Sequence, residues 1–390
     1  MTQTYDVIII GAGIIGCSTA FHLSKQGLKV ALLEKEDIGA GSTGRSSAIV
    51  RQHYSNTLTA QMALHSMRIF HNFEEAVGGD SGFTQTGFLV FSAAEDQAGL
   101  EANIALQRGV GINTELVSTE GLADIFPNIK RDDLMMAAYE SEGGYADPHL
   151  TTTAYANAAR RHGTQVFLDT HVTNIRFEKD KVVGVETTKE NFDAPQVLNC
   201  AGPWGARVAK MAGIEVPIKS CRVQVTLFRR PPTLTAHPVV VDFIHASYFR
   251  SETGNLTLCG LVDPEEANAV VDPDNYDENV ELAFVADVGE RVIERYPMME
   301  QCENIGGYAG LYAITPDWHP IVDELPAGSG CFICTGFSGH GFKLAPAVGV
   351  MAADMLTGAS APEFDAHLFR FSRYAEDDLV RGQYAYSIAG

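Results

Sequence analysis

A short apolar stretch, Tyr5–Ile10, is followed by a glycine-rich turn and then by a segment with helical spacing. Its β-branched residues predict a buried strand. From Cys17 onward, small and apolar residues recur at i, i+3, i+4 and i+7, which predicts a helix to about Gln26. A second strand-like run, Leu28–Leu33, ends at Glu34. This βαβ pattern predicts the start of a doubly wound sheet with a ligand crevice at the carboxyl ends of its strands.

Beyond this unit the pattern predicts further helices and strands in an order that favours a second, mainly antiparallel sheet. The predicted helices are 55–77, 95–109, 118–126, 151–162, 279–296 and 343–356. The predicted strands are 83–92, 172–177, 182–187, 196–199, 223–228, 239–243, 248–250, 256–261 and 331–335. We expect strands 172–177, 182–187 and 196–199 to form a β-meander, and the four strands between 223 and 261 to form the second sheet.

The turn after the first strand reads Gly11-Ala12-Gly13-Ile14-Ile15-Gly16. Its glycines allow a tight turn and close approach of a pyrophosphate to the start of the helix. Glu34 is suited to bind ribose hydroxyls, and the loop 39–47 offers further N–H and hydroxyl donors for a phosphate. The pattern predicts an adenine dinucleotide site, for which NAD and FAD both remain candidates.

Composition and charge narrow the class of protein. The chain has 390 residues, of which 45% are hydrophobic and 20% charged, with a net charge of −21. That length allows about two domains, and the composition excludes a disordered chain. The acidic balance disfavours binding of nucleic acid or anionic lipid.

Targeting and metal signals are weak. No uninterrupted apolar run reaches the roughly 18 to 20 residues of a membrane helix, and the N-terminus lacks a basic signal region, which favours the cytoplasm. Seven thinly spread cysteines form no disulfide framework. Cys331 and Cys334 lie on a predicted buried strand, and the acidic loop 263–277 lacks EF-hand spacing, so no metal site is predicted.

Five ordered segments resemble the FAD-dependent amino-acid oxidoreductases, the family of sarcosine oxidase, glycine oxidase and D-amino-acid oxidase. They are 11–34, the Gly-Ser-Thr-Gly-Arg loop at 41–45, 199–204, the Thr-Pro-Asp-Trp-His-Pro segment beginning at 315, and 336–343. The segments 49–54 and 336–343 are most similar to the branch that contains the β-subunits of sarcosine oxidase and proline dehydrogenase.

The resemblance implies an α/β fold in which a doubly wound, Rossmann-like FAD domain of the glutathione-reductase type carries an α+β substrate domain. On that basis we expect residues 1–82, 144–215 and 305–390 to form the FAD domain, and 83–143 with 216–304 to form the substrate domain.

The resemblance also implies roles for individual residues. Arg51 and Lys343 match the cationic pair that binds a substrate carboxylate, and Lys343 is also a candidate to lie near the flavin. His53, Tyr54, Tyr248 and Tyr312 are candidates to contact the amine or to close the cavity. The expected cofactor-binding residues are Gly11, Ala12, Gly13, Ile14, Ile15, Gly16, Glu34, Lys35, Gly41, Ser42, Thr43, Arg45, Ser46, Ser47, Val172, Cys200, Ala201, Gly202, Trp204, Gly310, Gly336, Gly339, His340, Gly341, Phe342 and Lys343.

Departures from the family pattern refine these expectations. Gly310 and Arg45 stand where relatives carry a cysteine or a histidine bonded to flavin, so we expect non-covalent FAD. Thr257 and Ala48 stand where sarcosine oxidases carry a lysine that activates oxygen and a nearby arginine, which favours another electron acceptor.

The expected reaction is hydride transfer from a secondary or N-alkyl amino acid, sarcosine-like or proline-like, to flavin N5, which gives an imine that water hydrolyses. The alternatives are a glycine or D-amino-acid type oxidase of a primary amine and a flavin subunit of a heteromeric amine dehydrogenase. Expected partners are the small substrate, oxygen or another acceptor, and copies of this chain or a partner subunit.

Overall fold

Four sheets organise the residues that the structure, a computed structural model, describes: 3–263, 265 and 268–381. The outer ends of the two terminal domain ranges, 1–2 and 382–390, and positions 264, 266 and 267 of the substrate-domain range lie outside them. In chain order the strands are β1 (Gln3–Thr4), β2 (Val7–Ile10), β3 (Val30–Leu33), β4 (Ile49–Val50), β5 (Thr84–Gln85), β6 (Phe88–Phe91), β7 (Glu115–Ser118), β8 (Met136–Glu140), β9 (Gly144–Tyr145), β10 (Gln165–Phe167), β11 (Val172–Glu178), β12 (Lys181–Thr187), β13 (Phe192–Asp193), β14 (Gln196–Asn199), β15 (Lys219–Arg229), β16 (Val239–Asp242), β17 (Ser247–Glu252), β18 (Leu256–Leu261), β19 (Glu303–Ile314), β20 (Ile321–Glu324) and β21 (Cys331–Thr335). The α-helices are α1 (Ile14–Lys25), α2 (Thr57–His71), α3 (Phe73–Ala76), α4 (Gln97–Val110), α5 (Thr119–Ile125), α6 (Pro148–Arg161), α7 (Gly205–Met211), α8 (Leu282–Arg295) and α9 (Gly341–Thr357).

The predicted doubly wound sheet is present, in the strand order β10-β3-β2-β14-β21-β20. Its strands pair in parallel except β20, which runs antiparallel to β21. The buried residues of α1 extend well beyond the single predicted stripe, because α6 and α9 pack on either side of this helix. The contact is close: a Cβ on Gly349 of α9 would lie 2.2 Å from Ser18 Oγ.

The predicted β-meander needs correction in its third strand. β12 pairs with β11 and with the two-residue β13, whereas β14 leaves this group and lies between β2 and β21 in the parallel sheet. The core of β14 is buried, as expected for a strand covered on both faces of a parallel sheet. Spacing along the chain did not distinguish these two sheets.

The second sheet has eight strands in the order β19-β15-β18-β17-β16-β6-β8-β7. It contains the four strands predicted between 223 and 261, and it is antiparallel except for the parallel pair of β6 with β16. The sequence pattern missed β7, β8 and the twelve-residue β19. Glycines made β19 resemble a loop, but they permit its close pairing: a Cβ on Gly307 would lie 2.2 Å from Val225 O.

A buried ion pair anchors the segment after β19 to the C-terminal part of the described chain. Arg373 Nε and Nη2 donate to Asp317 at 2.7 and 3.0 Å, and both side chains are almost fully buried. In the same segment, the Thr315 hydroxyl donates to His319 O at 2.7 Å. The Thr315 N–H donates to Ser338 Oγ at 3.2 Å, which ties this turn to the loop after β21. Among the residues described, no helix has the length and apolar character needed to cross a membrane.

Candidate active site

A cavity opens where four parallel strands end. Gly11, Glu34, Cys200 and Gly336 directly follow β2, β3, β14 and β21, and all four line the cavity. The eight-stranded sheet closes the opposite side through β15 and β19. This is the crevice expected at the carboxyl edge of an open α/β sheet. Its volume open to the centres of water molecules is about 320 Å³.

The glycine turn has the compact geometry of a phosphate cradle. Gly11 has φ +104°, and a Cβ on it would lie 2.7 Å from Cys200 O. A Cβ on Gly16 would lie 2.0 Å from Gly11 O, so α1 can start directly against the turn only because glycine stands there. Gly13 is the N-cap residue of α1 and has no side chain that could accept the first N–H groups of the helix. The Ile14 N–H donates to Thr43 Oγ1 at 3.1 Å. The start of α1 therefore presents N–H groups and its positive dipole end to the cavity.

Glu34 joins the two sides of this cradle. Its Oε2 accepts the Ala12 N–H at 2.8 Å and its Oε1 accepts the Glu36 N–H at 3.0 Å. Burial raises the pKa of Glu34, although these backbone N–H groups act in the opposite direction. The carboxyl group thus holds the turn in place and lies at the cavity wall, where ribose hydroxyls are expected.

Residues 272–281 form an acidic segment that connects elements of the eight-stranded sheet and reaches the same cavity. We call this segment the acidic strap. Asp274 accepts from Lys35 Nζ at 2.8 Å, from Trp204 Nε1 at 2.7 Å and from Arg207 Nη1 at 2.5 Å. Although burial opposes it, hydrogen bonds from Lys35 and Trp204 lower the pKa of Asp274. A second contact joins Glu278 to Arg45 Nη2 at 2.7 Å. The sequence showed only an acid-rich loop here, because its cationic partners lie far away along the chain.

A smaller cavity adjoins the first and contains all five residues predicted to be catalytic. These residues are Arg51, His53, Tyr248, Tyr312 and Lys343. Tyr248 and Tyr312 also line the large cavity, so the two spaces share walls. The smaller space measures about 80 Å³ open to the centres of water molecules. It accommodates a small molecule next to a ligand in the large cavity.

Two buried cations lie in the smaller cavity. The guanidinium of Arg51 lies over the ring of Tyr54 at 4.5 Å and near that of Phe88 at 5.8 Å, and it donates to His53 O. Lys343 Nζ donates to Gly339 O at 3.3 Å. Burial, and then the charge of Arg51, lower the pKa of Lys343 well below its usual value. An anion between these groups would relieve their repulsion, so the site is electrostatically suited to a carboxylate.

Of the remaining predicted side chains, His53, Tyr248 and Tyr312 line the walls, whereas Tyr54 lines neither cavity because its ring lies under the Arg51 guanidinium. Burial, and then the charge of Arg51, lower the pKa of His53 to about 3, so its ring is neutral near pH 7. Tyr248 lies against Gly260, where any Cβ would lie 2.5 Å from the ring, and Tyr312 lies against Gly339, where a Cβ would lie 2.9 Å away. Glycines opposite both tyrosines therefore allow the rings to reach the cavity.

The structure brings most predicted cofactor residues to the large cavity. Ala12 and Gly16 do not line it and instead support the turn, while His340 and Lys343 line the smaller cavity. Sequence reasoning missed several wall residues, because no motif marks them. They are Ile10, Leu33, Glu36, Thr170, His171, Pro203, Arg207, Val208, Met211, Val223, Val225, Asp274, Tyr308, Leu311, Ala313, Phe337 and Ser338.

The two positions at which relatives were expected to bond flavin touch each other. A Cβ on Gly310 would lie 3.0 Å from Arg45 Cβ. Arg45 extends away to Ala40 O, at 3.0 Å, and to the acidic strap. Neither residue is a cysteine or a histidine.

Thr257, which the resemblance matches to the oxygen-activating lysine of sarcosine oxidases, lines neither cavity. Thr257 pairs across the sheet with Ser251, three positions after Tyr248, so it lies on the face opposite Tyr248. Its hydroxyl is 3.0 Å from His237 Nε2, and the His237 ring stacks on Phe126 beneath that far face. Motif spacing alone does not fix which face of a strand a residue occupies, because a shift of one residue moves its side chain to the other face. Ala48, the companion position, lines neither cavity.

Three comparisons with known proteins agree with this geometry. The family model described as DAO, FAD dependent oxidoreductase, matches residues 6–355. Human mitochondrial sarcosine dehydrogenase is 28% identical over 96% of this chain, which spans only 42% of that protein. Sarcosine oxidase subunit beta of Rhodobacter capsulatus is 25% identical over 97% of this chain and 92% of that one. The crystal structure of L-proline dehydrogenase from P. horikoshii superposes with a TM-score of 0.90 at 27% identity, covering 97% of this chain and all of the other.

Proposed function

This chain belongs to the FAD-dependent oxidoreductase family, and from that premise we propose that it oxidises a small secondary or N-alkyl amino acid to an imine. The family and the mixed α/β fold predicted from the sequence are thereby confirmed. FAD supplies the hydride acceptor when it is bound, at N5 of its flavin ring. The residues that we propose to hold it are those around the glycine turn and along β19, without a covalent bond.

The observation that carries this proposal is the pair Arg51 and Lys343, buried in a small cavity that shares walls with the cofactor crevice. An arginine fork and a lysine point charge together orient a carboxylate. Holding the carboxylate fixes the direction of the neighbouring C–H bond toward the shared wall. The two positive charges also disfavour an ammonium group, and an amine must be neutral to donate electron density as its C–H bond breaks.

The walls favour a compact, partly apolar substrate. Ile49, Phe88, Val90, Leu261 and Val262 surround the space between the cations and the tyrosines. A cavity of about 80 Å³ fits sarcosine-like or proline-like molecules better than long side chains. The second candidate, oxidation of a primary amine such as glycine or a D-amino acid, is supported by the same cationic pair.

Assembly and surroundings belong to the same proposal. A relative carries the name subunit beta, which supports assembly of this chain in a heteromeric complex. We also propose that residues 1–82, 144–215 and 305–390 act as the FAD domain and the rest as the substrate domain, in the cytoplasm. Oxygen or another carrier takes the electrons.

An anaerobic spectral titration tests the substrate class. The purified, FAD-loaded protein is titrated with sarcosine, N-alkyl glycines, proline, glycine and D-alanine, and is then opened to air. We expect a secondary or cyclic amine to bleach the flavin band. Bleaching by glycine or D-alanine alone would support the primary-amine alternative, and rapid return of colour in air would identify an oxidase. If no amine bleaches the flavin of this chain alone, the proposal fails for the isolated chain and the test is repeated on a complex purified with its partner.

Two variants connect the titration to the site. Lys343→Met and Arg51→Met each remove one cation, and we expect both to weaken reduction by the substrate. Lys210→Met, which removes a cation from α7 at a position outside both cavity walls, is the control and should titrate like the wild type.

A further inference from the structure

A layer of buried polar side chains lies behind the wall that carries Arg51 and His53. Its members are Gln52, Asn103, Gln107 and Glu140, each fully buried and none lining either cavity. Glu140 ends β8, while Asn103 and Gln107 lie on α4. A buried carboxyl group such as that of Glu140 is energetically costly unless a contact compensates for its lost hydration. The contacts of Glu140 give the reason for its burial here.

Glu140 holds the chain segment that presents Arg51. Its Oε2 accepts the N–H of Gln52 at 2.7 Å. Its Oε1 lies 3.8 Å from His53 Nδ1 and has no hydrogen-bond partner among the described residues. On the other side of the ring, His53 Nε2 is 3.1 Å from Asn103 Nδ2. Glu140 therefore positions the backbone between Arg51 and His53.

The charges around Glu140 make its protonation sensitive to what fills the cavity. Burial raises the pKa of Glu140 to about 7, the N–H of Gln52 and the charge of Arg51 act to lower it, and Glu142 acts to raise it. Tyr54 and His53 are the other titratable groups nearby. An anion bound at Arg51 would offset the attraction of that cation and would itself repel a second carboxylate.

We infer that Glu140 is a positioning residue that is ionised while the cavity holds no anion and takes up one proton from solvent when a carboxylate binds at Arg51 and Lys343. The inference rests on the proposed function, because it needs the carboxylate site. The proton goes to Oε1, because Oε2 already accepts the Gln52 N–H. Neutral Glu140 leaves the two cations balanced by the ligand carboxylate alone, which keeps the nearby amine from holding a proton.

Infrared difference spectroscopy tests this directly. FAD-loaded enzyme at pH 8 receives cyclopentanecarboxylate, a cyclic carboxylate without an amine, labelled with ¹³C in its carboxyl group so that its own bands shift. We expect a new carboxylic-acid C=O band in the wild type and in Glu142→Gln, and no such band in Glu140→Gln. The amide of Glu140→Gln still offers an oxygen to the Gln52 N–H. Binding to the wild type without a new band would overturn the inference even if the variant were unstable.

Calorimetry in buffers of different ionisation enthalpy gives a second readout. Above its folded-state pKa of about 7, Glu140 is mostly ionised before binding, so a rise of this pKa on binding gives a net uptake of up to one proton. Burial and nearby charges also lower the pKa of His340, which is present in both proteins, so comparison of the wild type with Glu140→Gln isolates the contribution of Glu140.

The outcomes separate the inference from the function on which it rests. Carboxylate binding with equal proton uptake in the wild type and in Glu140→Gln refutes the inference alone. Absence of carboxylate binding to the wild type refutes the cationic site and the inference together. We also expect the pH profile of kcat/KM to lose an ionisation near pH 7 in Glu140→Gln and to keep it in Glu142→Gln, which a merely structural role would not produce.

Discussion

Replacement of Asp274 by asparagine should speed the release of FAD without changing the chemistry at the smaller cavity. Asp274 is the point at which the acidic strap meets Lys35, Trp204 and Arg207 beside the cofactor crevice. Asparagine keeps the size of the side chain and one acceptor oxygen, but it removes the charge that holds the two cations. The strap then opens more often, and a cofactor without a covalent bond leaves through the opening.

The magnitude follows from exposure. The Asp274 side chain is 49% exposed, so each of its ion pairs contributes only about 0.2–1 kcal/mol. Loss of two such pairs amounts to about 0.4–2 kcal/mol. Because about 1.4 kcal/mol corresponds to a factor of ten, the rate of FAD release should rise about 2- to 30-fold. Salt screens exposed charges, so the difference should shrink as ionic strength increases.

The assay follows flavin fluorescence as FAD leaves diluted holoenzyme, at low salt and at about 1 M salt. The control is Glu290→Gln, which removes an exposed charge from α8 outside both cavity walls. We expect Glu290→Gln to match the wild type at every salt concentration, and the wild type to approach Asp274→Asn at high salt. Equal release rates for Asp274→Asn and the wild type at low salt would refute the role of the strap.

Three further predictions concern the turn, the fold and the cationic pair. Gly16→Ala places a Cβ 2.0 Å from a backbone oxygen. We therefore expect this variant to bind FAD at least about tenfold more weakly in a fluorescence titration. The control is Gly109→Ala, which has no atom within 4 Å of its Cβ and should bind FAD normally. Arg373→Met leaves Asp317 buried without its partner and should lower the free energy of unfolding in urea by about 3–5 kcal/mol; a loss below 1 kcal/mol would contradict this. Although burial opposes it, Arg373 lowers the pKa of Asp317, so this stabilisation is present at neutral pH and should be lost as the pH falls through the folded-state pKa. Lys343→Met should weaken cyclopentanecarboxylate binding about 10- to 150-fold, and unchanged affinity would exclude Lys343 from the carboxylate site.

The cofactor crevice could be predicted from the sequence because its determinants are local. The turn from Gly11 to Gly16, the start of α1 and Glu34 lie within one βαβ unit, and strand ends in a parallel sheet meet at one edge. β19 could not be predicted in the same way, because its glycines weaken the strand pattern. Gly307 is needed because Val225 of the neighbouring strand approaches so closely. The contacts of the acidic strap could not be predicted either, because the cations that it binds come close to it only when the chain folds.

The smaller cavity depends on longer-range relationships. Arg51 follows β4, Phe88 lies on β6, Tyr248 on β17 and Lys343 on α9, so no local pattern unites them. Their grouping was predicted from the family resemblance. The resemblance indicates which residues meet in the folded protein but not the physical reason why they meet. The same comparison does not fix the face of Thr257, because motif spacing specifies a position along a strand only if the register is known, and an error of one residue reverses the face. Loops and helix starts tolerate such errors better than strands do. Lys343, at the start of a helix, lies in the smaller cavity with Arg51 and its role stays a prediction, whereas Thr257, inside the eight-stranded sheet, lies on the face opposite Tyr248.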